Sequence, residues 1–339
     1  MQSACAEKQI EFSVVVPAYN SERTLGFCLE ALSHQTIPRE RYEVIVVDDG
    51  SSDLTSKIAR QFDVRYMFQK NRGPASARNL GADAAAGSLI LFTDSDCVPC
   101  PDWLEEMVRP FMDLNVIAVK GGYKTRQTEI VARFAQMEFE DRYDMLKKNA
   151  CIDMIDTYSA AFRKEVFKRM GGFDGRFPKA NNEDTELSYR LAAAGCKMVF
   201  NPKAIVFHTH PSTLAKYLKI KFWRGYWRMV VYRRYPQKAL KDSYTPNVLK
   251  IQTMLMALSF PLCLFSLFVH TFFPFILMLW SIILISSFPF SIKTYKKDKL
   301  AGIFSPIIIL FRSLVFALGS LLGLAKNFIL DSPLVNLYL

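Results

Sequence analysis

Two long stretches without charge dominate the C-terminal part of this sequence. Residues Ile251 to Ile292 contain no Lys, Arg, Asp or Glu, and Leu300 to Ala325 contain Arg312 as their one charged residue. A helix needs about 20 apolar residues to cross a bilayer, so the first stretch, with Pro274 near its middle, is long enough for two helices. The alternative is that these stretches are buried helices of a soluble protein, but consecutive uncharged runs of this length are rare in a globular core. We therefore predict a transmembrane region at 251–339, with spans at 251–269, 272–290 and 303–325.

Charge around these stretches predicts their orientation. Residues Met1 to Glu11 are polar and lack the basic start and apolar core of a signal peptide. The loop Lys293 to Lys299 is basic, and basic loops stay on the cytoplasmic side. We expect a multi-pass membrane protein with a cytoplasmic N-terminal domain and an external C-terminal tail. Arg312 would pair with a lipid phosphate, unless it has a structural partner inside the helix bundle or snorkels to the membrane surface.

A basic segment precedes the first predicted span. From His208 to Lys250 there are ten Lys or Arg residues and one Asp, which accounts for much of the net charge of +11. Basic, aromatic-rich segments beside a membrane bind anionic lipid headgroups, so residues 211–250 are interpreted as an interfacial segment rather than a nucleic-acid site. Trp223 and Trp227 serve either this interface or an acceptor site.

Residues 1–210 alternate between apolar β-branched runs and helical periodicity. Strands are predicted at Phe12–Val16, Tyr42–Val47 and Ser88–Phe92, and the intervening segments repeat apolar residues at helical spacing. Strands that alternate with helices indicate an α/β fold with a doubly wound, largely parallel sheet. Such sheets bind ligands beyond the carboxyl ends of their strands.

Acidic residues follow two of these strands. Asp48 and Asp49 follow one, and Asp94 and Asp96 follow another. Two acidic strand ends side by side repel each other unless a cation or ligand offsets the charge, and Mg²⁺ or Mn²⁺ prefers carboxylate oxygens. Solvated turn residues are the alternative interpretation of Asp94 and Asp96 alone.

Two further groups are candidates for chemistry. Glu183 and Asp184 begin a predicted helix after Asn181 and Asn182, so they either cap that helix or supply a catalytic base. His208 and His210 lie two apart at the end of a predicted strand, so both imidazoles could reach one site and one could complete a metal shell. Cys97 and Cys100 have no second Cys or His pair at zinc-site spacing, so we assign them no metal.

Several blocks together resemble family 2 glycosyltransferases, which are inverting enzymes with a GT-A fold. The blocks are VVVPAYN, YEVIVVDDGSSDLT, NRGPASARNLGADAAAGSLILFTDSD, YSAAFRKEVFKRMGGFDGRF and NNEDTELSYRLAAAG. The resemblance covers about Phe12 to His210, and it implies an enzyme that takes a sugar from a nucleotide diphosphate, with Mg²⁺ or Mn²⁺ as cofactor.

The resemblance also implies roles for individual residues. Pro17, Ala18 and Tyr19 would line the base pocket, Asp49 would bind the base with Asp48 nearby, and Asp94 would face the ribose and metal. Asp96 would bind the metal, with His208 as a further ligand, and Asp184 would be the general base supported by Glu183. Arg78 would assist the diphosphate or brace Asp49, unless it is a surface arginine on a helix.

The acceptor is predicted from the membrane segment. We expect a lipid-linked or glycan acceptor in glycolipid or cell-envelope polysaccharide synthesis, and a UDP-sugar donor ahead of a GDP-sugar. Processive synthases of this family carry a Gln-x-x-Arg-Trp block, where this chain has Lys221 to Arg228. That departure favours transfer of single sugars. The alternatives are a processive polysaccharide synthase and a non-catalytic scaffold that binds nucleotide sugars.

Overall fold

The computed structural model of the chain describes residues 10–177 and 182–329. The described residues form two compact units. The first contains the chain up to Arg126 and Leu146–Thr209, and the second contains Gln127–Met145 and the chain from His210 onward. Three predictions lie outside the described residues. They are the polar start at residues 1–9, the contribution of Asn181 to a helix start, and the external location of the tail from residue 330.

Eight strands form one sheet in the first unit. They are β1 (Phe12–Ala18), β2 (Tyr42–Asp48), β3 (Arg65–Phe68), β4 (Leu89–Phe92), β5 (Cys97–Pro99), β6 (Val116–Lys124), β7 (Ala160–Arg163) and β8 (Lys197–His208). Their order across the sheet is β3-β2-β1-β4-β7-β6-β8-β5. Every residue of β1 and β4 is buried, as expected for strands covered on both faces.

The predicted α/β fold is confirmed. Strands β3, β2, β1 and β4 pair in parallel, as do β6 and β8. The pairs β4–β7, β6–β7 and β5–β8 are antiparallel, so the second half of the sheet is mixed. A 3₁₀ turn at Thr157–Ser159 directly precedes β7.

Six helices of the first unit connect the strands of this sheet. They are α1 (Leu25–Ser33), α2 (Thr55–Ala59), α3 (Pro74–Ala84), α4 (Trp103–Val108), α6 (Lys164–Arg169) and α7 (Glu183–Ala193). In α1 the periodic residues Leu25, Cys28, Leu29 and Leu32 are all buried. In α3, Gly81 lies so close to Val15 of β1 that an added Cβ would clash with it. Arg78, one turn earlier, shares that buried face.

The second unit is helical. It contains α5 (Ile130–Leu146), α8 (Leu214–Arg234), α9 (Pro236–Leu240), α10 (Asn247–Ser266), α11 (Phe273–Lys297) and α12 (Lys299–Ile329). Three helices, Asn247–Ser266, His270–Lys297 and Lys299–Lys326, are long and apolar enough to cross a membrane. A 3₁₀ turn at His270–Phe272 joins α10 to α11 beside Pro274, where the sequence predicted a turn.

Arg312 of α12 is a structural partner within this unit. It is buried and donates hydrogen bonds to Glu138 of α5 at 2.7 Å and to the Gln252 side chain at 2.6 Å. Glu138 also accepts from Lys221 at 2.7 Å and from the Tyr217 hydroxyl at 2.9 Å. Because these partners enclose Arg312, the bundle-partner hypothesis is correct and the lipid-phosphate hypothesis is wrong.

Candidate active site

Parallel pairing brings the ends of β1 and β2 to one edge of the sheet. Ala18 lies opposite Asp48 in the register, and the Asp49 N–H donates to the Ala18 carbonyl at 2.8 Å. β4 pairs with the other side of β1, so the turn containing Asp94 and Asp96 follows at the same edge. The carboxyl ends of adjacent parallel strands therefore collect the acidic residues that the sequence placed after each strand.

Asp49 organises the loop that leads into α3. One oxygen accepts from the Gln69 side chain at 2.6 Å and from the Arg72 N–H at 2.8 Å, and the other accepts from the Gly73 N–H at 2.8 Å. Gly73 has φ +88°, which glycine adopts readily. A carboxylate has about four acceptor positions, so Asp49 retains capacity for one further donor such as a base N–H.

Asp48 is turned toward the protein. Its oxygens accept from the Ser51 N–H and from the Tyr66 hydroxyl, both at 2.8 Å, and its side chain is buried. Burial and this bond to Asp48 raise the pKa of Tyr66 to about 12. Asp48 therefore shapes the loop that carries Asp49.

The segment after β1 supplies an exposed aromatic ring. Strand β1 runs through Pro17 and Ala18, two residues further than predicted, and both are buried. Tyr19 is 52% exposed. Asn20 adopts φ +48°, and its side chain accepts from the Ser52 N–H at 2.9 Å. Tyr19 is thus held at the sheet edge on a fixed turn, in a position where a flat ligand could stack.

A second contact connects this turn to the acidic turn after β4. The Ser21 and Ser95 hydroxyls are 2.8 Å apart and hydrogen-bonded. Ser95 lies between Asp94 and Asp96. The turns that carry Tyr19 and the two aspartates therefore hold each other in place.

Asp96 and His208 meet through backbone pairing. Strand β5 begins at Cys97, which lies opposite His208 in the antiparallel pair β5–β8. Asp96 Oδ2 is 3.8 Å from His208 Nε2, and the Cys97 Sγ belongs to the same cluster within 4.8 Å. His208 also contacts the Tyr158 ring, with centroids 4.4 Å apart. Asp96 is 40% exposed, so the cluster is open on one side.

The donor set of this cluster fits a divalent cation. Loss of solvation and the neighbouring Asp94 raise the pKa of Asp96, while His208 lowers it. Burial and the same two carboxylates raise the pKa of the Cys97 thiol, which keeps it protonated and a poor ligand. The Asp96 carboxylate oxygen and the His208 imidazole nitrogen remain as candidate donors, and both donor types bind divalent cations. A bound cation would also relieve the repulsion between Asp94 and Asp96.

Arg78 joins the acidic turn to the start of α7. It is buried and donates to Asp94 Oδ1 at 2.7 Å and to Glu183 Oε1 at 2.9 Å. The pKa of Arg78 is raised because Asp94, Glu183 and Asp184 outweigh the opposing effect of burial. Its hydrogen bonds go to these acids and not to Asp49, and it is not a surface residue, so both of those expectations for Arg78 are wrong.

Glu183 and Asp184 have different surroundings at the start of α7. Glu183 is buried against Arg78, whereas Asp184 is partly exposed. Asp184 Oδ1 accepts from the Thr185 N–H at 2.6 Å, which fixes the direction of its carboxylate. Asn182 precedes the helix at φ +64° and makes no side-chain capping bond. Of the two acids, Asp184 is the more exposed.

His210 does not share the site of His208. Strand β8 ends at His208, so the alternation that would place both rings on one face ends there. His210 is buried in the second unit, where its Nε2 is 2.9 Å from the Gln136 side chain and its ring stacks on Phe139 at 5.6 Å. The expectation that both imidazoles reach one site is therefore wrong.

Sequence reasoning missed a buried ion pair beside His208. Lys120 on β6 pairs with Asp156, and Tyr123 on the same strand contacts both Tyr158 and His208, with ring centroids 5.2 and 5.6 Å apart. A lysine inside the apolar run of β6 was the signal for this pair, because a fully buried lysine requires a partner.

The amino-acid sequence is similar to known glycosyltransferases. Residues 13–171 match the family model "Glycosyl transferase family 2". Glycosyltransferase AglE of Haloferax volcanii is 31% identical over 208 residues, which are 58% of this chain and 66% of that protein. The probable glycosyltransferase YdaM of Bacillus subtilis is 30% identical over 241 residues, which are 64% of this chain and 52% of that protein. The chain thus spans about half to two thirds of these relatives.

Among solved structures, the mannosyltransferase PcManGT from Pyrobaculum calidifontis, in complex with GDP-Man and Mn²⁺, has the same fold. Its TM-score is 0.58 at 21% identity, with 96% of this chain and 89% of that chain covered. The chain contains a glycosyltransferase domain of family 2 with the GT-A fold.

Proposed function

We propose that this chain transfers single glycosyl groups from a nucleotide-diphosphate sugar to a membrane-associated, lipid-linked acceptor, with inversion at the anomeric carbon. Asp184 acts as the general base, and Asp96, Asp94 and His208 hold a divalent metal. The donor sits at the sheet edge, with its base near Pro17, Ala18, Tyr19 and Asp49.

The observation that carries this proposal is the buried connection Asp94–Arg78–Glu183. It joins the turn that would hold the metal to the helix start that would hold the base, through hydrogen bonds of 2.7 and 2.9 Å. Direct displacement needs a leaving-group site and a base held in fixed geometry. A buried arginine with two ionic partners fixes this geometry better than a flexible surface contact.

The reaction follows from these positions. Asp184 takes the proton of the acceptor hydroxyl, the acceptor oxygen forms a bond to the anomeric carbon, and the bond to the diphosphate oxygen breaks. A single displacement of this kind inverts the anomeric centre. Asp184 can accept a proton because it is partly exposed, whereas Glu183 is engaged by Arg78. When bound, the metal offsets the negative charge that develops on the departing diphosphate.

The acceptor assignment depends on the second unit. A chain with three helices suited to a membrane and a basic segment before them meets its acceptor at the lipid surface. The basic residues Lys293, Lys296 and Lys297 at the end of α11 support a cytoplasmic location for the catalytic domain. PcManGT was solved in complex with GDP-Man, which supports a nucleotide-sugar donor for this chain. UDP-sugars and GDP-sugars are therefore tested separately.

The test uses the purified full chain in detergent. UDP- and GDP-sugars are supplied with a polyprenyl phosphate acceptor and with Mn²⁺, Mg²⁺ or EDTA, and nucleotide release and product length are measured. We expect metal-dependent release that requires the acceptor and a product longer by one sugar. A polymeric product would support a processive synthase, and donor binding without release under every condition would support a scaffold.

A further inference from the structure

Two tyrosine rings enclose the His208 imidazole beside the candidate metal cluster. Between ring centroids, His208 is 4.4 Å from Tyr158 and 5.6 Å from Tyr123, and the two tyrosines are 5.2 Å apart. The interplanar angles are 59°, 56° and 66°, and tilted contacts of this kind are favourable between aromatic rings. The His208 side chain is only 10% exposed. Tyr123 and Tyr158 are called the tyrosine clamp below.

Tyr123 reaches His208 through an irregular pairing of β6 with β8. Lys120 lies opposite Phe200, whereas Tyr123 lies opposite Val206, so three steps along β6 accompany six steps along β8. Residues two apart on a strand face the same side, which places His208 on the same face as Val206 and next to Tyr123. Irregular pairing of this kind is common beside functional sites, where it redirects a side chain. Here it brings the Tyr123 ring against the imidazole.

Tyr158 lies in the 3₁₀ turn before β7, and this turn is held on both sides. Asp156, before the turn, forms a buried ion pair with Lys120 of β6. At the end of the turn, the Ser159 hydroxyl accepts a hydrogen bond from the buried Trp103 indole N–H at 2.8 Å. Buried polar contacts whose partners are satisfied make a structure rigid. The backbone on either side of Tyr158 is therefore fixed, and the position of its ring is restricted.

The direction of the His208 ring decides whether it can bind the same cation as Asp96. His208 is the last residue of β8, and the terminal torsion of a histidine side chain is broad. In the structure, His208 Nε2 is 3.8 Å from Asp96 Oδ2. Two ligand atoms that each lie about 2.1 Å from one ion can be up to about 4.2 Å apart. Rotation of the imidazole away from Asp96 would carry Nε2 beyond this limit.

We propose that Tyr158 and Tyr123 are positioning residues for the metal site, whose rings keep His208 Nε2 directed at Asp96. The tyrosine clamp acts through His208 and does not itself bind the metal, the donor or the acceptor. Groups that orient a metal ligand contribute about 10- to 100-fold to metal affinity. The proposal rests on the metal site within the proposed function.

Mn²⁺ binding to the purified full chain in detergent tests the proposal without turnover. The electron paramagnetic resonance signal of free Mn²⁺ gives the dissociation constant. Tyr158→Ala should raise this constant about 10- to 100-fold, whereas Tyr158→Phe keeps the ring and should stay within about twofold of the wild type. An equal loss of affinity in both variants would overturn the proposal, because the hydroxyl group and not the ring would then be responsible. Tyr158→Leu gives the same comparison if Tyr158→Ala does not fold.

A double-mutant cycle separates positioning of His208 from a general structural role. If Tyr158 acts through His208, Tyr158→Ala should cause no further loss of Mn²⁺ affinity in a His208→Ala background. Additive losses would overturn the proposal. Phe111→Ala is the matched control, because it removes a buried ring of the same unit that contacts Arg163. It should lower the thermal midpoint and leave the Mn²⁺ affinity unchanged, and a loss as large as that of Tyr158→Ala would overturn the clamp.

Nucleotide release by the same preparations reports on the proposed function separately. If the wild type releases nucleotide and Tyr158→Ala binds Mn²⁺ as tightly as the wild type, the tyrosine clamp alone is overturned. If Mn²⁺ binding depends on Tyr158 but no sugar donor is turned over, glycosyl transfer is overturned and the clamp is supported. A wild type that binds no Mn²⁺ would overturn the metal site and the clamp together.

Discussion

Two ionic clusters, one in each unit, differ in the exposure and in the partners of their carboxylates. In the first unit, Arg78 pairs with Asp94 and Glu183, and Asp96, in the same turn as Asp94, is 40% exposed. In the second unit, the cations Lys221 and Arg312 bind the carboxylate of Glu138, which is 3% exposed. The first cluster is open on one side, whereas the second is closed around its carboxylate.

The two clusters also differ in the direction in which the pKa of their carboxylates is shifted, and this difference separates a candidate binding site from a structural ion pair. Burial alone would raise the pKa of Glu138, but Lys221, Arg312 and Arg142 outweigh it and hold that pKa well below its usual value. The corresponding pKa of Asp96 is raised, because desolvation and Asp94 outweigh His208. Glu138 is therefore stabilised as an anion by the protein, whereas a cation bound beside Asp96 would stabilise the anionic form of Asp96.

The largest effect is expected from the catalytic base. Asp184→Asn keeps the size and the hydrogen bond to Thr185 but removes the ability to accept a proton. Turnover should fall about 10³- to 10⁴-fold, the upper range for a general base, with the affinity for the donor unchanged. Nucleotide release and donor binding by calorimetry measure the two quantities.

The control for this variant is Asp113→Asn. Asp113 pairs with Lys197 at 2.8 Å on the surface of the same unit, and its loss should leave turnover within about twofold. Full activity of Asp184→Asn, or a donor affinity that falls in proportion to turnover, would contradict the assignment of Asp184 as the base.

The next largest effect concerns the closed cluster. Glu138→Ala leaves Lys221 and Arg312 buried without their carboxylate, and breaking a buried pair from one side costs about 3 to 5 kcal/mol. We expect a clear fall in the thermal midpoint in detergent. The triple variant with Lys221→Met and Arg312→Met should recover much of the loss, because the two cations that contact Glu138 are removed together with it. Equal destabilisation of both variants would argue against an electrostatic cause.

Asp96→Ala is the matched change in the open cluster. Unlike Glu138→Ala, it should impair activity without lowering the thermal stability. Removing one of two neighbouring carboxylates relieves repulsion, so the thermal midpoint without metal should stay level or rise. Metal-dependent donor binding should be lost, and turnover should fall about 10²- to 10³-fold because charge on the leaving diphosphate is no longer offset. A variant that still binds the donor in an EDTA-sensitive manner would remove Asp96 from the metal site.

The sequence predicted what depends on local pattern. Strand and helix periodicity located β1, β2, β4 and α1, and the acids that follow the strands had to meet at one edge because parallel strands end together. It did not predict contacts that depend on distant pairing. Glu183 is 105 residues from Arg78, and Arg312 is 174 residues from Glu138, so no local pattern connects them.

Helix α5 shows a second limit of sequence reasoning. Its residues lie between strands of the catalytic domain in the chain, and their mixture of apolar and acidic residues gave no interpretable signal. In the structure most of it belongs to the second unit. The partners of Glu138 become evident only once α8 and α12 are placed around it, because a single buried carboxylate looks like any surface acid in sequence.

Arg78→Lys should lower turnover less than Asp184→Asn or Asp96→Ala. Lysine keeps the charge but cannot donate to Asp94 and Glu183 in the fixed fork of a guanidinium. We expect turnover to fall about 10- to 100-fold, mainly in kcat, with a changed metal affinity because Asp94 is no longer held. Arg65→Lys on the surface is the control. A change confined to the thermal midpoint would mean that Arg78 has a purely structural role.

The smallest effect is the pH dependence of the closed cluster. The folded-state pKa of Glu138 is depressed, so its contribution to stability is complete above the unfolded value of about 4.3 and is lost as pH falls below it. Because burial lowers the pKa of the contacting Lys221 to about 7, the stability difference between the wild type and Glu138→Gln is compared from pH 5 downward. It should then shrink by up to about 1.4 kcal/mol per pH unit below about 4.3. Thermal midpoints of both proteins across this range measure the difference. Because Glu138→Gln removes one titrating group while keeping the shape of the side chain, a difference that stays unchanged from pH 5 to 3.5 would mean that the pKa of Glu138 is the same in the folded and the unfolded chain. The cations around Glu138 would then not stabilise its anionic form, and the contrast of this cluster with the acidic site would disappear.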